Sequence, residues 1–190
     1  MKIILMIGAP GSGKGTQAKK IAEEYGYIHI STGDLFRERA KVVDELGLKI
    51  KGLIESGALV PDDITVQTFE ETVKKNSNAK GLIFDGFPRN LQQVIHFEKI
   101  IEDNLPGAER NIIFLNVSGE ELVERILKRS AIENRVDDTS EKIKTRLAIY
   151  NENTIPVILY YQKMDSFQTF TGTGKTPDDV WSEVEKIIAS

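Results

Sequence analysis

Gly8-Ala9-Pro10-Gly11-Ser12-Gly13-Lys14-Gly15-Thr16 follows the short apolar run Ile3-Ile4-Leu5-Met6-Ile7 and leads into Gln17–Tyr25, where apolar residues recur at helical spacing. A strand, a glycine loop and a helix with a lysine at the loop exit make a phosphate cradle. The glycines let backbone N–H groups turn inward on an anion, the helix start adds its positive dipole end, and Lys14 adds a mobile charge. The general pattern wants Ser or Thr after the lysine to hold magnesium. Here Gly15 takes that place, and Thr16 is the nearest hydroxyl. Taken alone, the loop also reads as a plain glycine-rich turn between strand and helix.

Outward from this loop, four more strand-like runs follow: Tyr27–Ile30, Gly81–Asp85, Asn111–Val117 and the weaker Phe167–Phe170, with helical segments between them. Strands of continuous apolar residues are buried on both faces. Their alternation with helices predicts a parallel five-stranded sheet with helices on both sides, a doubly wound α/β fold. Ligands in such a sheet bind beyond the carboxyl ends of the strands. The 190 residues fit one domain, and 40% hydrophobic with 28% charged residues describes a soluble globular chain. A net charge of −4 argues against a nucleic-acid binder, so any positive patch is local. The chain has no cysteine, which excludes disulfides and thiolate metal sites. No apolar run reaches membrane-spanning length, and Met1–Ile7 is too short for a signal peptide, so a cytoplasmic location is expected.

Chemistry-bearing residues cluster after the strands. Ser31-Thr32-Gly33-Asp34 reads as a helix cap with an acid in the first turn. Gly57 reads as a helix stop and Pro61 as a new start, which makes residues 31–60 a helical excursion longer than one crossover helix needs. Asp85 ends an apolar run, a position suited to act on magnesium through water, although Asp-Gly also simply makes a turn. Arg89 sits at the same strand end without an acidic neighbour downstream, which favours an anion ligand. Arg125, Arg129, Arg135 and Arg146 crowd one span of an acidic chain, and arginine rather than lysine suits bidentate capture of phosphate; a merely solvated helix face is the other reading. His29 and His96 are isolated, and Trp181 with Val180, Val184, Ile187 and Ile188 reads as a buried helix face.

Together these pieces resemble the adenylate kinase family of nucleoside monophosphate kinases. The matching segments are 8–17, 31–37, 56–63, 85–90, Arg125 with Arg129, 134–138 and Arg146, in order along almost the whole chain. The family's loop carries the same Gly-Lys-Gly-Thr, so Gly15 is expected within it. The resemblance implies an Mg²⁺-dependent, zinc-free transfer of phosphate from ATP to AMP giving ADP, by a monomer. It implies a core of residues 1–30, 61–129 and 138–190, a monophosphate-binding flap at about 31–60 and a short lid at about 130–137. It assigns ATP binding to Gly11, Ser12, Gly13, Lys14, Gly15, Thr16, Arg125, Arg129 and Lys175. It assigns AMP binding to Thr32, Arg37, Ala58, Leu59, Val60, Gly86, Phe87, Pro88, Arg89, Gln93, Arg135 and Arg146. Lys14, Arg89, Arg129, Arg135 and Arg146 are the implied catalytic residues, and Asp85 would meet magnesium through water. Two features differ from the family's commoner pattern: Ser130-Ala131-Ile132-Glu133-Asn134 where Gly and Ser are frequent, and Phe36 where Leu is. A UMP/CMP kinase of the same family and a catalytically weak nucleotide sensor are the alternatives. Thr32 and Gln93 resemble the AMP-selective form, but a carboxamide that flips suits uracil as well.

Overall fold

The computed structural model describes residues 1–133 and 139–189. Its centre is β1 (Lys2–Gly8), whose side chains are buried on both faces. Ile3, Leu5 and Ile7 point into one hydrophobic cluster, and Ile4 and Met6 into the other, as the two-residue period of a strand requires. Parallel neighbours extend the sheet on both sides: β2 (Ile28–Ser31), β3 (Gly81–Asp85), β4 (Glu109–Asn116) and β5 (Phe167–Thr171), in the order β2-β3-β1-β4-β5. In register, Met6 faces Asp85 on one side and Ile113 on the other. The five strands therefore deliver their carboxyl ends to one edge, with Gly8, Asp85 and Asn116 side by side.

Helices cover both faces. On one lie α1 (Lys14–Tyr25) and the carboxyl-terminal α9 (Pro177–Ala189), which bury Ala18 and Ile21 against Val180, Val184 and Ile188. Trp181, expected on that buried face, is only half-buried, and Lys20 lies 5.8 Å from its ring centroid. On the other face lie α4 (Asp62–Lys75), α5 (Leu91–Asn104) and α8 (Ile155–Tyr161). An aromatic knot holds them to the sheet: Phe69 of α4 meets Phe87, Phe84 and Phe97 at centroid distances of 4.3, 4.9 and 5.5 Å. Tyr161 of α8 donates to Glu98 of α5 at 2.8 Å, and Arg110 of β4 pairs with the same carboxylate.

Between β2 and α4 the chain makes α2 (Thr32–Arg39) and α3 (Glu45–Ser56), built around their own small core of Phe36, Ile50 and Val60. Ser31 caps α2 by accepting from Asp34 N–H, and Gly57 ends α3 in the left-handed region. Beyond β4 come α6 (Gly119–Glu133) and α7 (Ser140–Ile149), and α7 runs into α8 through a single wide π turn, Tyr150–Thr154.

Phe69 is fully buried at the middle of the aromatic knot. Phe69→Ala should cost about 3–5 kcal/mol of unfolding free energy, the usual loss for a truncated core aromatic. Denaturant titration should show the lower midpoint.

Candidate active site

The glycine loop closes on the carboxyl end of β1. Gly11 has φ +83°, and a Cβ there would stand 2.7 Å from Ile126 Cγ1 and 3.0 Å from Leu122 O. Only glycine lets the loop lie this close to α6. Gly13, also left-handed, precedes α1 without capping it by a side chain, so the first N–H donors of the helix face the cleft. Lys14 Nζ folds back and donates to Gly8 O and Ala9 O at 2.8 and 2.9 Å. A Cβ at Gly15 would stand 3.5 Å from Asp85 Oδ2. A hydroxyl at position 15 would therefore fall to that carboxylate.

One large cleft, about 1400 Å³, opens along the carboxyl ends of the strands. Gly11 to Thr16, Thr32, Arg37, Ala58, Leu59, Val60, Gly86, Pro88, Arg89, Gln93, Arg125, Arg129, Arg146 and Lys175 line it, together with Asp85. Nearly every residue singled out from the sequence is thus brought to one cavity. Phe87 is the exception: its side chain is 1% exposed and belongs to the aromatic knot, which leaves only its main chain for the cleft. Arg135 lies outside the described residues, as do residues 134–137 of the expected lid.

Charge dominates the middle of the cleft. Burial pushes Lys14 down from its ordinary value to about 8. Asp85 opposes that shift, whereas the charges of Arg89, Arg146 and Arg129 add to it. Asp85 itself is pushed up by burial, yet His29, Lys14 and Arg89 outweigh that and hold the carboxyl below its usual value. His29 Nε2 lies 3.6 Å from Asp85 Oδ2, just beyond hydrogen-bond length. This contact was not visible in the sequence, where His29 reads as isolated.

Other residues are mounted by specific bonds. Gly86, at φ +87°, leaves room where a Cβ would meet Thr32 Oγ1 at 2.7 Å and Arg89 Nη2 at 2.9 Å. Thr32 Oγ1 donates to Gly86 O at 2.9 Å, and Arg89 Nε donates to the same carbonyl at 2.6 Å. Arg89 is also fixed through its main chain: its N–H donates to Gln93 Oε1 at 2.7 Å, and its carbonyl accepts from Thr154 Oγ1 at 2.9 Å. Arg37 is paired with Asp34. Arg125 reaches from α6 to the loop after β5, donating to Gly172 O at 2.6 Å and to Lys175 O at 3.2 Å. Glu121 orients it and accepts from Gly174 N–H. Among the described residues no cluster of three or more His, Asp or Glu could hold a metal, so a cation here would rest on Asp85, Thr16, water and the ligand's own oxygens. A buried carboxylate beside an exposed hydroxyl at the loop suits a mostly hydrated divalent ion.

A family model described as "Adenylate kinase" matches residues 6–166. An adenylate kinase of Phocaeicola vulgatus is 40% identical over 182 residues, covering 95% of each chain. One of Bacteroides fragilis is 39% identical over 186 residues, covering 97% of each. One of Thermus thermophilus is 36% identical over 186 residues, or 97% of this chain and 96% of that one.

The depressed Lys14 has a measurable consequence. Below about 8 the amine carries its proton in folded and unfolded chains alike. Above it, up to the ordinary 10.5, only the unfolded chain keeps the proton, so from this group native stability rises with pH across that window. A polyphosphate bound beside Lys14 should restore the proton. Calorimetric titration with ATP at pH 8, in buffers of differing ionisation heat, should find roughly half a proton taken up through Lys14. Lys14→Met should abolish that uptake, and at pH 6.5 Lys14 should contribute none.

Proposed function

This chain belongs to the adenylate kinase family and is a nucleoside monophosphate kinase, and we propose that it moves the γ-phosphoryl group of ATP reversibly to AMP, giving two ADP, with the cleft residues in specific roles. The observation that carries this reading is the meeting of Lys14, Arg89, Arg129 and Arg146 in one cavity whose walls include both the glycine loop and, away from it in sequence, Gln93 and Ala58 to Val60.

Two polyanions must approach each other, so the site must cancel charge where the transition state carries it. The ATP side is the loop Gly11 to Thr16, whose N–H donors and Lys14 take the β- and γ-phosphates. Arg125, already held against the loop 172–175, lies along the adenine with Lys175. The AMP side is Thr32, Arg37, Ala58 to Val60, Gly86, Pro88, Arg89 and Gln93. Of Phe87 only the main chain could contribute, since its ring is in the core. Arg129 and Arg146 reach the transferring phosphoryl group from α6 and α7, and Arg135 joins them from the lid. An AMP phosphate oxygen attacks γ-phosphorus as the bond to the β-bridging oxygen breaks, and ADP leaves. That oxygen is already ionised near neutral pH, so no general base is required. Mg²⁺, held through water near Asp85 and Thr16, would supply charge neutralisation on the ATP phosphates.

Residues 31–60 act as the flap over AMP, and about 130–137 as the lid; their closure excludes water and prevents hydrolysis of ATP. The described part of the constellation comes from a single chain, which supports a monomer acting on free nucleotides. No helix among the described residues is long and apolar enough to cross a membrane.

Arg89 is mounted on both sides of its main chain and faces the cleft, so its guanidinium should act mainly in the transition state. Arg89→Ala should lower kcat by about 10²–10³, as removal of one preorganised donor does. A coupled assay of ADP formation tests this, and a rate within a few-fold of the parent removes Arg89 from the mechanism. In the same assay AMP should turn over faster than UMP, CMP or GMP; a faster UMP or CMP reaction would make this a pyrimidine monophosphate kinase.

A further inference from the structure

Gln93 lines the cleft but is only 2% exposed, and both ends of its carboxamide are bonded. Oε1 accepts from Arg89 N–H at 2.7 Å, and Nε2 donates to Asp62 Oδ1 at 2.6 Å. Neither partner can exchange roles, since a backbone N–H only donates and a carboxylate only accepts. The orientation of the amide is therefore dictated by its neighbours. Asp62 stands behind Gln93, in the first turn of α4 and just after the wall Ala58 to Val60. Asn90 fixes Asp62 in turn, its Nδ2 lying 3.2 and 3.1 Å from the two carboxylate oxygens. The loop closes on itself, because Asn90 Oδ1 caps α5 by accepting from Gln93 N–H at 2.7 Å.

We propose that Asp62 is a positioning residue for base specificity. Together with Arg89 N–H it locks the Gln93 amide, so that the site accepts an exocyclic amino group beside a bare ring nitrogen and rejects an oxo group beside a ring N–H. Each amide atom still has one bond to give: a second lone pair on Oε1 and a second hydrogen on Nε2. That leftover acceptor and donor match the N6 amino group and N1 of adenine. A 6-oxopurine presents the reverse order, and so does uracil. An unlocked carboxamide would turn over and accept both; the locked one leaves a wrong base with donor against donor and acceptor against acceptor. Cytosine shares the adenine polarity, so its rejection rests on the shape of the wall instead. Asp62 reaches no ligand itself; it acts through Gln93.

The inference rests on the assignment of Gln93 to the base of the acceptor nucleotide. AMP and IMP make the sharpest pair of probes, because they differ only at this edge. The ratio of kcat/KM for AMP over IMP should fall about tenfold in Asp62→Asn, the order expected for loss of one oriented bidentate contact, while the KM for ATP stays unchanged. Gln93→Ala should collapse the ratio further. A ratio within twofold of the parent in Asp62→Asn, alongside a collapse in Gln93→Ala, overturns the role of Asp62 and leaves the base site intact. An unchanged ratio in Gln93→Ala overturns the base-site assignment, and this proposal with it.

Discussion

The burial of Lys14 in a cleft that also gathers Arg89, Arg129 and Arg146, with Asp85 facing Lys14 and Arg89, is the constraint from which the site takes its character. A parallel sheet makes this crowding possible. It brings the end of β1, from which the loop leads to Lys14, beside the end of β3, where Asp85 sits and Arg89 follows. Burial does most to depress Lys14, the charges of the three arginines add to it, and Asp85 opposes it; a bound anion would oppose it further.

The same edge is stiff where geometry matters. Arg89 has its N–H held by Gln93 and its carbonyl by Thr154, so strand end, α5 and the π turn before α8 all converge on one residue. The aromatic knot beneath it, Phe69 against Phe84, Phe87 and Phe97, anchors the turn 85–89 from below. Phe87 therefore serves the site from the core, by fixing the backbone that presents Gly86 and Arg89. Residues α2 and α3 carry bury a smaller cluster of their own, with Phe36 and Ile50 at its centre. A segment with its own small core can shift against the sheet without opening the main one.

Local pattern made much of this legible. Continuous apolar runs marked β1, β3 and β4 because burial on both faces leaves little polar alternation, the edge strands β2 and β5 gave weaker signals, and Gly57 and Ser31 marked helix ends because their backbone chemistry is local. The cationic residues stood out because so many arginines are unusual in an acidic chain. What remained hidden depends on contacts between distant segments. His29 looks unremarkable until β2 pairs with β3 and sets it 3.6 Å from Asp85. Asp62 looks like a helix-start acid until α4 and α5 meet and Gln93 donates to it. Phe87 sits in a motif whose neighbours face the cleft, and no periodicity in so short a turn shows that its ring turns the other way. Arg125 reads as one of a helix pair, and only the fold shows it clasping the loop after β5.

If the cleft unites two nucleotides and shuts out water, the products of the reaction report it directly. ³¹P NMR of the protein with ATP, AMP and Mg²⁺ should show ADP appearing as ATP and AMP fall together, two ADP for each pair consumed, with no inorganic phosphate during the approach to equilibrium. Growth of the inorganic phosphate signal while AMP persists would contradict it, because water, and not the acceptor nucleotide, would then be taking the phosphoryl group.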